Sequence, residues 1–371
     1  DFDDLLLQTI DLLEGDEEAA ETVRARKGWF SVDEYQDTNP LQQWLLELWL
    51  GDRRDLCVVG DEDQTIYSFT GASSAFLTTF EERWPDAKLV PLVRNYRSTP
   101  QVLELANRLI AAEGRAKRLI PTRGDGPLPT ISRHPSAEHE LAVLVTWVQA
   151  RLGEGTAPVE IAVLVRMNAQ LPPIEEALTR AGVAYQVRGL RFYARPEVRS
   201  ALASLRRPPI DAVGTALPDA IRARWTKAVG YEEDGIPEGD EARERQASLE
   251  TLLAIVDGIA AADTAADAAT VIADLEARAA HEREGAAGGV NLLTYHRAKG
   301  LEWDAVFLPS LEEGILPIRQ AKEDDAALAE ERRLLYVGIT RARVHLALSW
   351  AERRESRGRE ARRQPSRFLL D

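Results

Sequence analysis

Val32-Asp33-Glu34-Tyr35-Gln36-Asp37, led in by the apolar pair Trp29-Phe30 and followed by Thr38-Asn39-Pro40, is the stretch on which the fold turns. An apolar run that stops at two adjacent carboxylates reads as a buried parallel strand, because ligands in α/β sheets bind beyond the carboxyl ends of the strands. One carboxylate placed there can hold Mg²⁺ while its neighbour orients a water, which is what nucleotide hydrolysis requires. A solvated turn is the plainer alternative for a bare Asp-Glu pair. The rest of the chain has to decide between them.

Outward from that stretch, residues 3–13 form a Leu-rich amphipathic helix, and Asn39 with Pro40 opens another after the carboxylates. Leu56-Cys57-Val58-Val59-Gly60 reads as a second short buried strand and Lys88-Leu89-Val90-Pro91-Leu92 as a third. Strands separated by helical stretches predict a parallel α/β sheet. A new unit starts near Arg94, where Ser98-Thr99-Pro100 caps a helix to about Ile110. Pro and Gly across 121–129 mark a loop, Ile161-Ala162-Val163-Leu164-Val165 a core strand, and 174–181 the helix after it. From about 196 to 285 the texture turns Ala-, Arg- and Glu-rich and helical, with a Gly/Pro/acidic stretch over 231–240. Strand patterning resumes at 290–293, 306–308 and 345–348. The domain scheme is therefore 1–90, 91–195, a helical insertion over 196–286, and 287–371.

The 371 residues are 44% hydrophobic and 29% charged, an ordinary globular composition with room for two or three domains. The single Cys57 excludes an internal disulfide framework and a multi-cysteine metal site. No apolar run reaches the length of a membrane span, so a cytoplasmic location without membrane partners is expected. The formal net charge of −15 argues against a nucleic-acid binder only weakly. A channel can be locally basic on an acidic protein. The only methionine is Met167 and the sequence starts at Asp1, which fits either a processed N-terminus or a piece of a longer protein.

Four further motifs carry chemistry. Val59-Gly60-Asp61-Glu62-Asp63-Gln64-Thr65-Ile66-Tyr67-Ser68-Phe69 follows the second strand, so the Gln64 amide leaves the sheet close to Asp33, suited to a γ-phosphate or the attacking water. Tyr67 and Phe69 are placed either to stack on bases or to fill a core. In Leu92-Val93-Arg94-Asn95-Tyr96-Arg97-Ser98-Thr99-Pro100, Arg97 stands before a helix start, positioned to reach a phosphate, and Tyr96 to stack on adenine. Asn291-Leu292-Leu293-Thr294-Tyr295-His296-Arg297-Ala298-Lys299-Gly300-Leu301-Glu302-Trp303 ends a strand in a polar, Gly-containing turn; it lacks the spacing of a P-loop, and His296 alone is compatible with a structural histidine. In Glu331-Arg332-Arg333-Leu334-Leu335-Tyr336-Val337-Gly338-Ile339-Thr340-Arg341-Ala342-Arg343 the apolar residues pin one helix face, leaving Arg341 free to point elsewhere and stabilise transition-state charge.

In this order and spacing the five motifs closely resemble the UvrD/Rep/PcrA family of superfamily 1 DNA helicases, over nearly the whole chain except the insertion. The resemblance implies RecA-like parallel sheets, a partial first domain plus a second domain, with a short helical insertion. It implies ATP and Mg²⁺ as cofactors, with Asp33 as the metal-associated carboxylate, Glu34 as the base, Gln64 as the γ-phosphate sensor, and Arg97 and Arg341 completing the site. Tyr96 would stack on adenine, Glu302 would contact the ribose, and Gly300 belongs to the same nucleotide-contacting turn. Tyr67, Phe69, Asn168, Thr294 and His296 would contact DNA, the expected partners being single-stranded DNA and single-strand/duplex junctions. ATP hydrolysis in the family drives 3′→5′ stepping along single-stranded DNA.

Three departures stand out. Thr70 replaces the arginine usual after the second motif's aromatic, Ile318 stands where relatives can carry a polar DNA contact, and the insertion is shorter than is typical. No Gly-x-x-x-x-Gly-Lys-Ser/Thr occurs, although the family places it upstream of residue 1. The expectation is a chain that lacks the N-terminal P-loop segment, is inactive on its own, and exposes apolar surface over 1–90. Two other readings compete: a non-hydrolysing DNA-binding scaffold derived from a helicase, and the helicase part of a helicase–nuclease. Arg353, Arg354, Arg357, Arg359, Arg362 and Arg363 form a basic stretch that either lies beside the DNA strand or, interleaved with Glu352, Glu355 and Glu360, makes a solvated helix face.

Overall fold

The computed structural model describes residues 2–112, 114, 117–187, 192–206, 209–232, 240–284, 288–356 and 359–370. The chain divides into two compact units, one made of residues 1–94, 109–118 and 320–336, the other of 95–108, 119–319 and 337–371.

In the first unit, β1 (Phe30–Val32) and β2 (Leu56–Val58) pair in parallel, with Phe30 opposite Leu56 and Val32 opposite Val58. Helices Phe2–Gly15, Glu17–Arg26 and Pro40–Leu50 enclose a small core of Ile10, Leu13, Ala20 and Leu45. The Asn39 side chain accepts from Gln42 N while the Gln42 side chain accepts from Asn39 N, the reciprocal cap expected from Asn-Pro at a helix start. Two expectations fail here. The β1–β2 pair is half-exposed rather than buried, Cys57 lying open and Trp29 being 81% exposed, because a sheet of two described strands has apolar cover on one side only. Residues 88–92 form no strand: no described strand runs beside them to complete a ladder, and Leu89 and Leu92 are exposed.

In the second unit the short strands β3 (Arg94–Asn95, from its second residue) and β4 (Ile120–Pro121) precede a larger sheet. That sheet comprises β5 (Thr130–His134), β6 (Ile161–Val165), β7 (Tyr185–Val187), β8 (Val290–Thr294), β9 (Trp303–Leu308) and β10 (Ala342–Ala351). Its order is β5-β10-β9-β6-β8-β7 and every pairing is parallel. All five residues of β6 are buried, as a continuous apolar run in a sheet covered on both faces requires. Leu144 and Val148 on one helix and Ile174 and Leu178 on another pack against Val163, Leu292 and Phe307.

The helical stretch that follows residue 196 has its own core within the second unit. Helices Pro196–Arg206, Leu217–Val229, Asp240–Ala262 and Ala268–Glu284 bury Val198, Ile221, Trp225, Leu252, Val256 and Val271, and Trp225 Nε1 donates to Ala201 O at 3.1 Å. Most of the predicted Gly/Pro/acidic stretch, 233–239, lies outside the described residues. The terminal arginines do not form a helix face. They fall on an antiparallel hairpin, β11 (Arg353–Ser356) and β12 (Arg359–Arg362), with Arg353 opposite Arg362. Strand alternation sends Arg354 inward to Glu312 and Glu140, both buried carboxylates, while Arg353 and Arg362 face outward. Arg357 lies outside the described residues, and the Arg359 side chain with it.

Candidate functional site

In the first unit the chain leaves β1 directly into Asp33 and Glu34, both exposed. Asp33 Oδ1 accepts the Glu34 N–H at 2.9 Å, and Glu34 takes left-handed backbone angles, φ 52° and ψ 39°. Such a conformation costs a non-glycine residue on the order of 1 kcal/mol or more, and hydrogen bonds of the adjoining Tyr35 hold it in place. Tyr35 N donates to Val59 O and Val59 N to Val32 O, continuing the β1–β2 ladder past the carboxylates. The buried Tyr35 hydroxyl donates to Gln43 Oε1 at 2.6 Å, anchoring the turn to the next helix.

Gln36, fully buried, ties the first motif to the second. Its Nε2 donates to Glu34 Oε2 at 2.5 Å and its Oε1 accepts from Asp61 N at 2.9 Å. A Cβ on Gly60 would lie 2.6 Å from Gln36 Oε1, so any larger residue would have to displace the Gln36 amide. Asp61 Oδ2 accepts from Gln64 Nε2 at 3.1 Å. The Glu34 carboxylate and the Gln64 amide thus belong to one hydrogen-bonded chain through Gln36 and Asp61. Phe69 is 73% exposed and meets Tyr67 edge-on at 6.0 Å between ring centroids. Burial first, then the negative charges of Asp37 and Glu34, push the Tyr67 hydroxyl's pKa up. The turn after Gln64 is gripped by helix Asp325–Ile339: Arg333 Nε donates to Thr65 O at 2.8 Å, and Glu330 accepts from Ser68 N at 3.2 Å.

In the second unit the candidate residues separate to the two edges of the parallel sheet. Thr294 ends β8 and stands opposite Val165, the last residue of β6; Asn168 follows three residues later and His296 two residues after Thr294. These three occupy the carboxyl edge. Thr294, buried, caps the turn Tyr295–Ala298 by accepting from Arg297 N. Glu302 immediately precedes β9 and Arg341 immediately precedes β10, with Trp303 paired to Ala342, so both stand at the amino edge. Gly300, at φ 79°, closes the turn that delivers Glu302. Arg97 joins them by an ion pair from its Nε to Glu302. Arg343 Nη1 reaches the other Glu302 oxygen at 3.4 Å. Burial opposes ionisation of Glu302, but the hydrogen bond and charge of Arg97, with Arg343 beyond, outweigh it and hold the carboxyl below its ordinary range. Tyr96 is 71% exposed beside this cluster in sequence.

Arg341 corrects an expectation. It is not free to point outward: it is 1% exposed, with Nε donating to Val337 O at 3.0 Å, Nη1 to Leu301 O at 3.1 Å and Nη2 to Thr340 Oγ1 at 3.1 Å. The guanidinium closes the carboxyl end of helix Asp325–Ile339, where orphan carbonyls and the helix dipole favour a cation. Nor does the Thr99 hydroxyl cap its helix. It is buried with no hydrogen-bond partner among the described residues, while Ser98 Oγ donates to Ala342 O at 2.7 Å and Thr99 N to Arg343 O at 2.9 Å.

The UvrD/REP helicase N-terminal domain matches residues 1–85, and the UvrD-like helicase C-terminal domain matches 90–208 and 219–353. The chain belongs to the UvrD/REP helicase family. Among its relatives, ATP-dependent DNA helicase UvrD2 of Mycobacterium tuberculosis is 49% identical over the whole chain, which spans 54% of that protein. ATP-dependent DNA helicase UvrD1 of the same organism is 35% identical, with 61% of its length covered. DNA helicase II of Escherichia coli is 30% identical, with 62% covered. The chain therefore spans little more than half the length of these UvrD-family relatives.

Against that family background, motif reading overlooked Gln36, Lys117, Glu330, Arg333 and Arg343. Gln36 lay inside the opening stretch, and Glu330, Arg333 and Arg343 lay in or beside the fifth. Lys117 stands in no motif. Among the described residues no group of three or more His, Cys, Asp or Glu is arranged to hold a metal. Asp33 still fits Mg²⁺, which takes one or two carboxylates and keeps water and phosphate oxygens as its other ligands, since its carboxylate is exposed at a strand end.

Proposed function

We propose that this chain is the C-terminal portion of an ATP-dependent 3′→5′ DNA helicase or translocase that couples ATP hydrolysis to movement on single-stranded DNA. The observation that carries the reading is the hydrogen-bonded chain from Glu34 through Gln36 and Asp61 to Gln64. A scaffold without chemistry has no use for an exposed carboxylate and an amide held in one network beside a second carboxylate.

In this reading Glu34 accepts a proton from the attacking water and Gln64 orients that water against the terminal phosphate. Asp33 holds Mg²⁺, which when bound neutralises charge on the phosphate oxygens. Arg97 donates to the phosphates, exchanging its Glu302 partner for the nucleotide, while the buried Arg341 holds the Leu301 carbonyl and with it the turn that carries Glu302. Tyr96 stacks on adenine, and Gly300 and Glu302 approach the ribose. On the nucleic-acid side, Phe69 and Tyr67 offer faces for base stacking, worth about 1–3 kcal/mol per base. Asn168, Thr294 and His296 contact the strand from the carboxyl edge of the six-stranded sheet. The preferred DNA is single-stranded or a single-strand/duplex junction. We further propose that 1–90 belongs to a first RecA-like domain, that 91–195 and 287–371 form a second, and that 196–286 is an insertion. No described helix is long and apolar enough to cross a membrane, and we place the protein in the cytoplasm.

The test is direction of travel. The complete gene product, given ATP and Mg²⁺, is run on single-stranded DNA carrying a fluorophore at either end. Signal arriving at the 5′ label supports the reading; arrival at the 3′ label, or binding without travel, contradicts it.

A further inference from the structure

Lys117 lies outside every motif, on the segment between helix Pro100–Ala111 and β4, yet its ammonium is lodged between two carboxylates of the second motif. Its Nζ pairs with Asp61 Oδ1 and stands 3.0 Å from Asp63 Oδ2. Asp63 is fully buried and Asp61 largely so. Asp61 Oδ1 also accepts the Asp63 N–H at 3.1 Å, and Oδ2 accepts the Gln64 side-chain amide. The Asp61 N–H donates to Gln36 Oε1, and Gln36 passes the contact on to Glu34.

From this arrangement we infer that Lys117 is a positioning residue for nucleotide hydrolysis, fixing Asp61 as an ionised acceptor that orients the Gln64 amide and, through Gln36, is tied to Glu34. The inference rests on the function proposed above and extends it to a residue no motif contains.

The chemistry favours an ammonium at this point. Asp61 and Asp63 meet the same cation, which offsets the repulsion between two carboxylates that share a partly buried site. A protonated Asp61 would present an O–H and lose acceptor capacity toward the Gln64 N–H. The shifts agree with the geometry. Burial raises Asp61, but the charge and hydrogen bond of Lys117 prevail and hold it low, while burial lowers Lys117 and the two aspartates more than offset it. A methionine in place of Lys117 would fill comparable volume and take the ammonium away from the buried Asp63, so stability and positioning have to be separated experimentally.

The test compares wild-type gene product with Lys117→Met, Lys117→Arg, the pair Asp63→Asn/Lys117→Met, and Glu34→Gln as the reference for the chemistry. DNA-stimulated ATP hydrolysis gives kcat and KM, and melting gives Tm. Misplacement of a positioned group predicts kcat for Lys117→Met lower by roughly 10–100-fold, with KM for ATP within about twofold. Lys117→Arg, which keeps the charge, retains most of kcat. The paired variant, which removes both buried charges, recovers Tm toward wild type but not kcat. A wild-type kcat in either Lys117→Met or the paired variant overturns the inference. If that occurs while Glu34→Gln is inactive, only the role of Lys117 falls; if Glu34→Gln also hydrolyses normally, the proposed function falls with it.

Discussion

Asp61 shows how one side chain can be both structural and poised. Its pKa lies below the ordinary 3.8 because Lys117, with hydrogen bonds from Gln64 and Asp63, overcomes the burial that would raise it. A depressed carboxylate contributes stability that is present above its unfolded value and is lost as pH falls through the folded one. Lys117 is held above its ordinary 10.5, so its share is present below 10.5 and is lost as pH rises through the folded value. The Tm gap between wild type and Lys117→Met should therefore be widest between 3.8 and 10.5 and shrink toward acid pH. A gap independent of pH in thermal melts would refute the assignment. Asp33, Glu34 and Gln64 stand out in the sequence as candidates because each follows an apolar run within a few residues. Lys117 does not, because its partners lie more than fifty positions away and no local pattern reports a pairing of that range.

Gly338 illustrates the same limit at the level of an element. Glycine inside a helix costs about 1 kcal/mol relative to alanine, so replacement in helix Asp325–Ile339 would ordinarily stabilise it. Here a Cβ would lie 2.5 Å from the ring of Tyr295, which is buried directly after β8. Gly338→Ala should instead lower stability by about 1–3 kcal/mol, the usual cost of overpacking, read as a drop in Tm. A rise in Tm would show that the ring can move aside. The strands of the six-stranded sheet were readable because fully buried parallel strands are short, continuous and apolar, as in Ile161–Val165. The hairpin of β11 and β12 was not, since Arg and Glu are good helix formers. What sets its conformation is tertiary: Arg354 reaches Glu312 and Glu140, three carboxylate contacts that a helix face would not supply. Residues 88–92 erred in the opposite direction, having strand propensity with no described strand beside them.

On the scale of the whole molecule, the two units each show a different degree of closure. The second unit buries both faces of its sheet, and its helices from residue 196 onward close a core of their own, tied to the helix Leu171–Arg180 by Glu175–Arg195 at 2.9 Å and an ion pair of Glu176 with Arg278. The first unit leaves Trp29, Leu89 and Leu92 open, as the sequence led one to expect of 1–90. Family membership was readable from five motifs in order, because each motif couples an apolar element to a polar turn and the order fixes which turn comes after which. The central claim is that these turns carry ATP hydrolysis driven by DNA. It is tested most directly by measuring ATP turnover of the complete gene product with and without single-stranded DNA, beside its Glu34→Gln variant. The account predicts DNA-stimulated turnover that falls by roughly 10²–10⁴-fold in Glu34→Gln, with DNA binding retained. Equal turnover in the two proteins, or turnover indifferent to DNA, would contradict it.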